Sequence, residues 1–513
     1  MSKTPSDKLY RLIRSLSPAE KRYFRLFTHN KAESANKYQQ LFEAVASMDT
    51  FDEEALKRKV YKGQPPEGKK YSELKAYLYE LVLKSLQSFD EQQSVEYRLN
   101  HLLQSVAVLY KRGHYDDCRD LLHKAGKLAR QYESFTHILE IIRWEKQLAY
   151  TRMDVDFLNR QLEHLQFEED RALEQLRNVS DYRKAFFQAY TTIKKETRLR
   201  GYDLKTQLQN IVNQELLSNP DLAGSHKARV MYYRTLNIYH FAALEYQLFY
   251  ESGKKLIALL ESQPHFLREN LSDYIAALSN LILSCGLLQK YDEVHLCLEK
   301  LRGLTPITDD DRRKIHRQYY SNKLALCTYT GEFEEGRREM ERCLNELSAL
   351  DQHDYETASF YFQFCTICFG CGDSGSALGY LNEWLNQPRS VEREDLQSLA
   401  RVLSLILHVE MGNTVLLESL LRSTTRFLQK KNRLYDLERR FMHFVSELMR
   451  QPSVREQLGI FQKMKADLQE VAVMPGAKVL LQTFDLEAWL DSRISGRTFA
   501  AVVREKWRRE NRP

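Results

Sequence analysis

The segment Gly113-His114-Tyr115-Asp116-Asp117-Cys118 returns as Gln289-Lys290-Tyr291-Asp292-Glu293-Val294, and again as Gly331-Glu332-Phe333-Glu334-Glu335-Gly336. Looser copies begin at Gly372, where Ala377 takes the last place, and at Gly412; the last four starts stand 42, 41 and 40 residues apart. A period of this length marks stacked helix pairs, each unable to bury its apolar side alone. The segment also has a local logic. A glycine-like position ends one helix, an aromatic two residues later plugs the turn, acids open the next helix where its dipole favours negative charge, and a small residue lets the pair close.

Outward from these copies, residues 135–250 show helical periodicity without a legible turn. The first ninety residues form a different, compact helical unit. Leu9, Leu12, Ile13 and Leu16 mark one buried helical face. Ser17-Pro18-Ala19-Glu20 is a helix start, with a hydroxyl N-cap, proline at the first helical position and a glutamate to close a capping box. Tyr38 to Met48 marks a third helix, Asp52 caps a fourth, and Leu74 to Phe89 carries the most periodic stripe of this region.

Composition agrees. The 513 residues contain 19 Gly and 11 Pro, far fewer breakers than a turn-rich β architecture needs, and hydrophobic content of 43% belongs to a folded chain. The start, Met1 to Ser17, has no apolar core of a secretory signal, and the longest uncharged runs are 16 residues with polar members, short of the ~20 apolar residues of a membrane span. A cytoplasmic protein is expected. Eight irregularly spaced cysteines then read as reduced core filler. The net charge of +6 sits at the ends: residues 1–90 hold 17 Lys+Arg against 12 Asp+Glu, residues 493–513 hold 7 against 2, and the rest is slightly acidic. This confines any electrostatic case for nucleic acid to the termini.

The recurrent segment resembles the turn of the tetratricopeptide repeat (TPR), Gly-Asp-Tyr-x-x-Ala, over residues 95–430, in degenerate units nearer 40 than 34 residues. The stretches 17–24 and 77–86 are also similar to an uncharacterised family of Bacteroidota proteins carrying such repeats. The resemblance implies an all-α fold: a TPR-like superhelical solenoid of antiparallel helix pairs behind an N-terminal helical domain (1–92), with repeats over 93–470 and capping helices and a basic tail over 471–513.

Counting nine residues back from Gln289, Gly331 and Gly372 gives Asn280, Asn322 and Gln363; Asn237 lies 43 residues before Asn280, and Gln104 nine before Gly113. In TPR proteins this register faces the concave groove. An amide offers donor and acceptor together, which suits the backbone of a bound peptide. Asn237, Asn280, Asn322 and Gln363 are therefore the expected grip, with Tyr233 and Phe362 supplying apolar contact.

Catalytic and cofactor motifs fail on inspection. Cys365-x-x-Cys368-x-x-Cys371 matches the start of an iron–sulfur motif, but Gly375 stands where the fourth cysteine belongs. Cys285, Cys327 and Cys368 share one repeat register, with Ala242 43 residues before Cys285, so a small buried residue explains them. Gly63 to Lys70 has phosphate-loop spacing, yet Lys70 replaces the magnesium-binding hydroxyl and prolines remove cradle N–H groups. No His-Glu-x-x-His, Gly-x-Ser-x-Gly or Gly-x-Gly-x-x-Gly occurs. The expectation is a non-enzymatic interaction scaffold for a protein or peptide partner, without cofactor, metal or membrane. The alternative is a regulator that contacts nucleic acid through its basic N-terminal domain. At the C-terminus, Phe499, Val502, Val503 and Trp507 form a stripe ringed by Arg504, Lys506, Arg508, Arg509 and Arg512, a pattern shared by helices that bind a membrane surface or nucleic-acid phosphates and by helices that close the end of a stack, of which the closing helix is the expectation here.

Overall fold

The computed structural model describes residues 7–29, 37–48, 50–61, 69–90, 94–196, 202–348, 360–386, 394–430, 436–451, 453–471 and 484–511. Among the described residues all regular structure is helical, with 25 α-helices and no strand. The chain divides into two compact units, 1–177 and 178–513. The boundary falls inside what periodicity alone treats as one run of repeats.

The first unit holds α1 (Lys8–Ser15), α2 (Pro18–His29), α3 (Lys37–Ala46), α4 (Glu53–Tyr61), α5 (Lys70–Asp90), α6 (Val95–Tyr110), α7 (Tyr115–Gln131), α8 (Phe135–Thr151) and the first half of α9 (Val155–Glu196). Its two apolar clusters are separate. One joins Leu9, Ile13, Phe24, Leu41 and Leu78 of α1–α5, and the other joins Leu99, Val106, Cys118, Leu122 and Ile142 of α6–α8. The capping box at α2 forms as its residue types dictate, Glu20 N–H donating to Ser17 Oγ at 3.2 Å and Ser17 N–H to Glu20 Oε2 at 2.6 Å. Asp52 Oδ1 likewise accepts from Glu54 N and Ala55 N at the start of α4.

The second unit continues α9 and adds α10 (Tyr202–Val212), α11 (His226–Ala242), α12 (Tyr246–Glu261), α13 (Pro264–Glu269), α14 (Leu271–Leu287), α15 (Tyr291–Arg302), α16 (Asp309–Thr330) and α17 (Phe333–Ser348). It ends with α18 (Tyr361–Gly370), α19 (Ser374–Asn386), α20 (Glu394–Glu410), α21 (Thr414–Lys430), α22 (Asp436–Arg450), α23 (Val454–Val471), α24 (Leu486–Ser495) and α25 (Phe499–Glu510). One apolar core runs from Val230 to Val503. Paired helices touch across their turns (α11 with α12, α14 with α15, α16 with α17, α18 with α19, α20 with α21), and the first helices of neighbouring pairs also touch, α14 with α16 and α16 with α18.

Each turn is built the same way. A residue in the left-handed conformation follows the helix, at Gly113, Glu133, Met153, Leu244, Gln289, Gly331, Gly372 and Gly412. In seven of these turns the next residue donates its N–H to the carbonyl five places back, from His114 to Leu109, Ser134 to Ala129, Asp154 to Ala149, Glu245 to His240, Lys290 to Cys285, Asp373 to Cys368 and Asn413 to His408, at 2.8 to 3.1 Å. This is the Schellman closure, which satisfies a carbonyl that the helix end would leave bare. Five residues past the left-handed position the chain buries Cys118, Ile138, Phe249, Val294, Ala377 and Leu417. At Gly336 a Cβ would stand 2.5 Å from Ile367 Cδ1, so no larger residue fits without a shift.

Candidate functional site

The amide register behaves differently from a row of open hooks. Asn280 is exposed on α14. Asn322 is half-buried on α16 and donates to Ser279 Oγ at 2.9 Å and to Gln318 O at 2.7 Å, while Ser279 donates to Gln318 Oε1 at 2.7 Å. Gln363 on α18 donates to Ser321 O at 2.9 Å. The amides of Asn322 and Gln363 therefore tie each first helix to the one before it. Such bonds are worth ~1 kcal/mol each. Lys314 to Ser272, at 2.8 Å, and Arg234 to Asp273, at 2.5 Å, extend the same stitching toward α11.

Asn237 does not belong to this set. It is 2% exposed and donates to Ser252 Oγ at 2.8 Å inside the α11–α12 pair, with no partner for its Oδ1 among the described residues. The reason is a longer unit. The left-handed residue of this pair is Leu244, 45 residues before Gln289, so counting 43 back from Asn280 lands two positions off the register. Asn237 stands seven before its turn, where the other pairs bury Ile282, Leu324 and Cys365. Tyr233 is half-buried with its ring 5.1 Å from Tyr232, and Phe362 is largely buried with its ring 6.0 Å from Trp384.

The basic C-terminal helix provides the feature that sequence spacing cannot reveal. Rather than closing the end of the stack, α25 packs on α16, 173 residues back along the chain. Phe499 sits among Phe333, Phe369 and Phe484, with ring centroids 5.6, 5.1 and 5.7 Å away. Trp507 meets Tyr291 edge-on at 5.6 Å, and Val502 and Val503 are buried. Arg504 pairs with Glu332 at 3.1 Å and donates to Gly331 O at 3.2 Å. The approach is so close that a Cβ on Gly331 would lie 2.8 Å from the Arg504 backbone nitrogen. The turn glycine therefore serves twice, once for its left-handed φ of 77° and once as the seat of α25. Behind it, α24 is anchored by Trp489, which packs on Phe441, Phe444 and Phe461 and donates to Glu410 at 2.7 Å.

Between α25 and the first helices lies a cavity of about 670 Å³. Ala325, Thr328 and Tyr329 of α16, with Phe362, Gln363 and Thr366 of α18, form one wall. Asn322, Ala325 and Tyr329 are spaced i, i+3, i+7 and share a helical face, so this wall belongs to the amide register. Opposite stand Phe499, Val503, Lys506, Trp507 and Glu510 of α25, and Asp485 and Glu487 close one end. Lys506 Nζ lies 3.0 Å from Asp485 and 3.2 Å from Glu487. Burial opposes its charge, but the two carboxylates outweigh burial and hold its pKa above the ordinary lysine value. Beyond the cavity the same face of α14 carries exposed Asn280 and Leu283, the latter 42% exposed.

All eight cysteines are unpaired, and Cys285, Cys327 and Cys368 are buried at their shared register, where burial raises the thiol pKa to about 12, 12 and 11. Cys365 is fully buried and burial pushes its thiol higher still, which makes the thiolate form that metal ligation needs costly. Ala242 is half-buried. Most of the Gly63 to Lys70 loop lies outside the described residues. In the basic N-terminal region Arg11, Arg25, Lys57 and Lys75 are engaged by Asp7, Glu43, Glu54 and Glu53, which lowers the positive potential available to phosphates. No described helix is long and apolar enough to cross a membrane. No family profile, curated protein or solved structure matches the chain.

Proposed function

We propose that this chain is a non-catalytic protein–protein interaction scaffold, a TPR-like solenoid whose first helices line a concave surface that receives a peptide or helix. The observation that carries this reading is the cavity between that face and α25, together with Asn280 and Leu283, exposed at the same register of the neighbouring α14. A site of a few hundred Å³ with apolar walls and few polar groups is the usual form of a specific binding pocket. Curved repeat arrays suit such use because exposed residues can vary without touching the core. In this reading Asn280 grips the partner, Tyr329 and the cavity receive its side chains, Asn322 and Gln363 hold the register of the surface, and Asn237 is structural.

The test is a photo-crosslinking side chain placed at Leu283 or Tyr329 on the first-helix face, with the exposed Leu296 on a second helix as control. The same protein bands, insensitive to nuclease treatment of the lysate, are expected from positions 283 and 329 and not from 296. Equal crosslinking from all three, or bands that vanish with nuclease, would overturn the scaffold reading.

A further inference from the structure

We infer that the cavity beside α25 receives an organic cation, in the form of an arginine or lysine side chain of the bound partner; this rests on the scaffold reading above.

Charge decides the sign. Three carboxylates, Asp485, Glu487 and Glu510, and one ammonium, Lys506, line the space. That ammonium is already held between Asp485 and Glu487. Arg504 is turned to Glu332 and the Gly331 carbonyl, and neither it nor the exposed Arg508 and Arg509 lines the cavity. An incoming anion would therefore meet a net negative surface, and a cation would meet one whose excess negative charge it reduces.

The walls fit the same chemistry. Tyr291, Tyr329, Phe362 and Trp507 bring aromatic rings to the space, and Tyr291 and Trp507 meet at an interplanar angle of 69°, forming a corner of ring faces and edges. Aromatic faces attract guanidinium and ammonium groups. Gln363 uses its amide N–H on Ser321 O, which leaves its carbonyl oxygen as an acceptor, and Thr366 gives its hydroxyl proton to Phe362 O. The Gln363 carbonyl oxygen is thus one acceptor that a guanidinium, with five N–H donors, can use. The volume exceeds that of one side chain, so several residues of the partner enter with it.

The experiment uses the full chain labelled with ¹⁵N-tryptophan, the Trp507→Phe variant assigning the Trp507 indole resonance. Two probes of nearly equal shape are titrated, N-acetyl-arginine amide and N-acetyl-citrulline amide, which differ in charge. The expected result is a saturable shift of the Trp507 indole by the arginine amide at a concentration about tenfold below that needed for the citrulline amide. Glu510→Gln should weaken the arginine amide about threefold and leave citrulline unchanged. Equal binding of both probes, no shift with either, or a Glu510→Gln chain that binds the arginine amide as tightly as wild type would each overturn the inference. Because the crosslinking result at positions 283 and 329 is read separately, a neutral-selective cavity would leave the scaffold reading standing.

Discussion

The turns at Gly113 and Gly331 share one motif and nearly one conformation, with φ of 76° and 77°, yet they sit in different surroundings. Around Gly113 nothing would meet an added Cβ within 4 Å; around Gly331 the backbone of α25 would, at Arg504 N and Ala500 O. A single sequence signature thus covers two roles. At Gly113 glycine relieves backbone strain and no more. At Gly331 it also allows a helix from the far end of the chain to settle on the turn and wall a cavity.

Substitutions can break that contrast. The largest effect is expected from Gly331→Ala, which combines left-handed strain with a forced shift of α25 and should cost about 3 kcal/mol or more. It would be read as a fall in the thermal midpoint together with a change in Trp507 fluorescence; loss of stability without any change at Trp507 would show that α25 is not seated as described. Phe499→Ala removes the ring shared by Phe333, Phe369 and Phe484 and should cost about 2 kcal/mol, less than a fully buried phenylalanine because Phe499 is half-buried.

Gly113→Ala should cost about 1 kcal/mol, strain alone, measured by urea unfolding. If it equals Gly331→Ala, the docking of α25 adds nothing. Asn237→Ala should cost about 1–2 kcal/mol, since it leaves Ser252 short of a buried partner, whereas Asn280→Ala should leave the melting temperature unchanged. Both are read by thermal unfolding, and equal effects would contradict the different burial of the two amides. One further effect has the opposite sign. Met153→Gly, at a left-handed turn that lacks glycine, should stabilise by about 0.5–1 kcal/mol, because relief of strain exceeds the entropy glycine adds to the unfolded chain.

The same comparison explains which turns were legible in the sequence. Glycine announces a left-handed residue, so Gly331, Gly372 and Gly412 stand out. Glu133, Met153 and Leu244 hold the same conformation without that mark, and they account for the unplaced units between 135 and 250. A weaker signal was present: Phe135 and Tyr246 stand two residues after Glu133 and Leu244, where Tyr115, Tyr291 and Phe333 stand in the clear copies. Counted from Leu244, Asn237 stands seven residues before its turn and not nine, and two residues move a position by about 200° around the helix; the nine-back position of this pair, Thr235, is itself buried.

Helical class, the helix caps and the pairing of helices were determined by sequence alone, because they rest on interactions within a few residues: Ser17 with Glu20, Asp52 with Ala55, a left-handed residue closing the helix before it. What only the tertiary structure decided is where α25 goes, and with it the cavity, the burial of Phe362 and the use of Asn322 and Gln363 as ties between helices. An amphipathic stripe states that a helix must be covered and is silent on which surface covers it. That choice depends on shape at a single distant glycine, where the absence of a side chain lets two backbones meet.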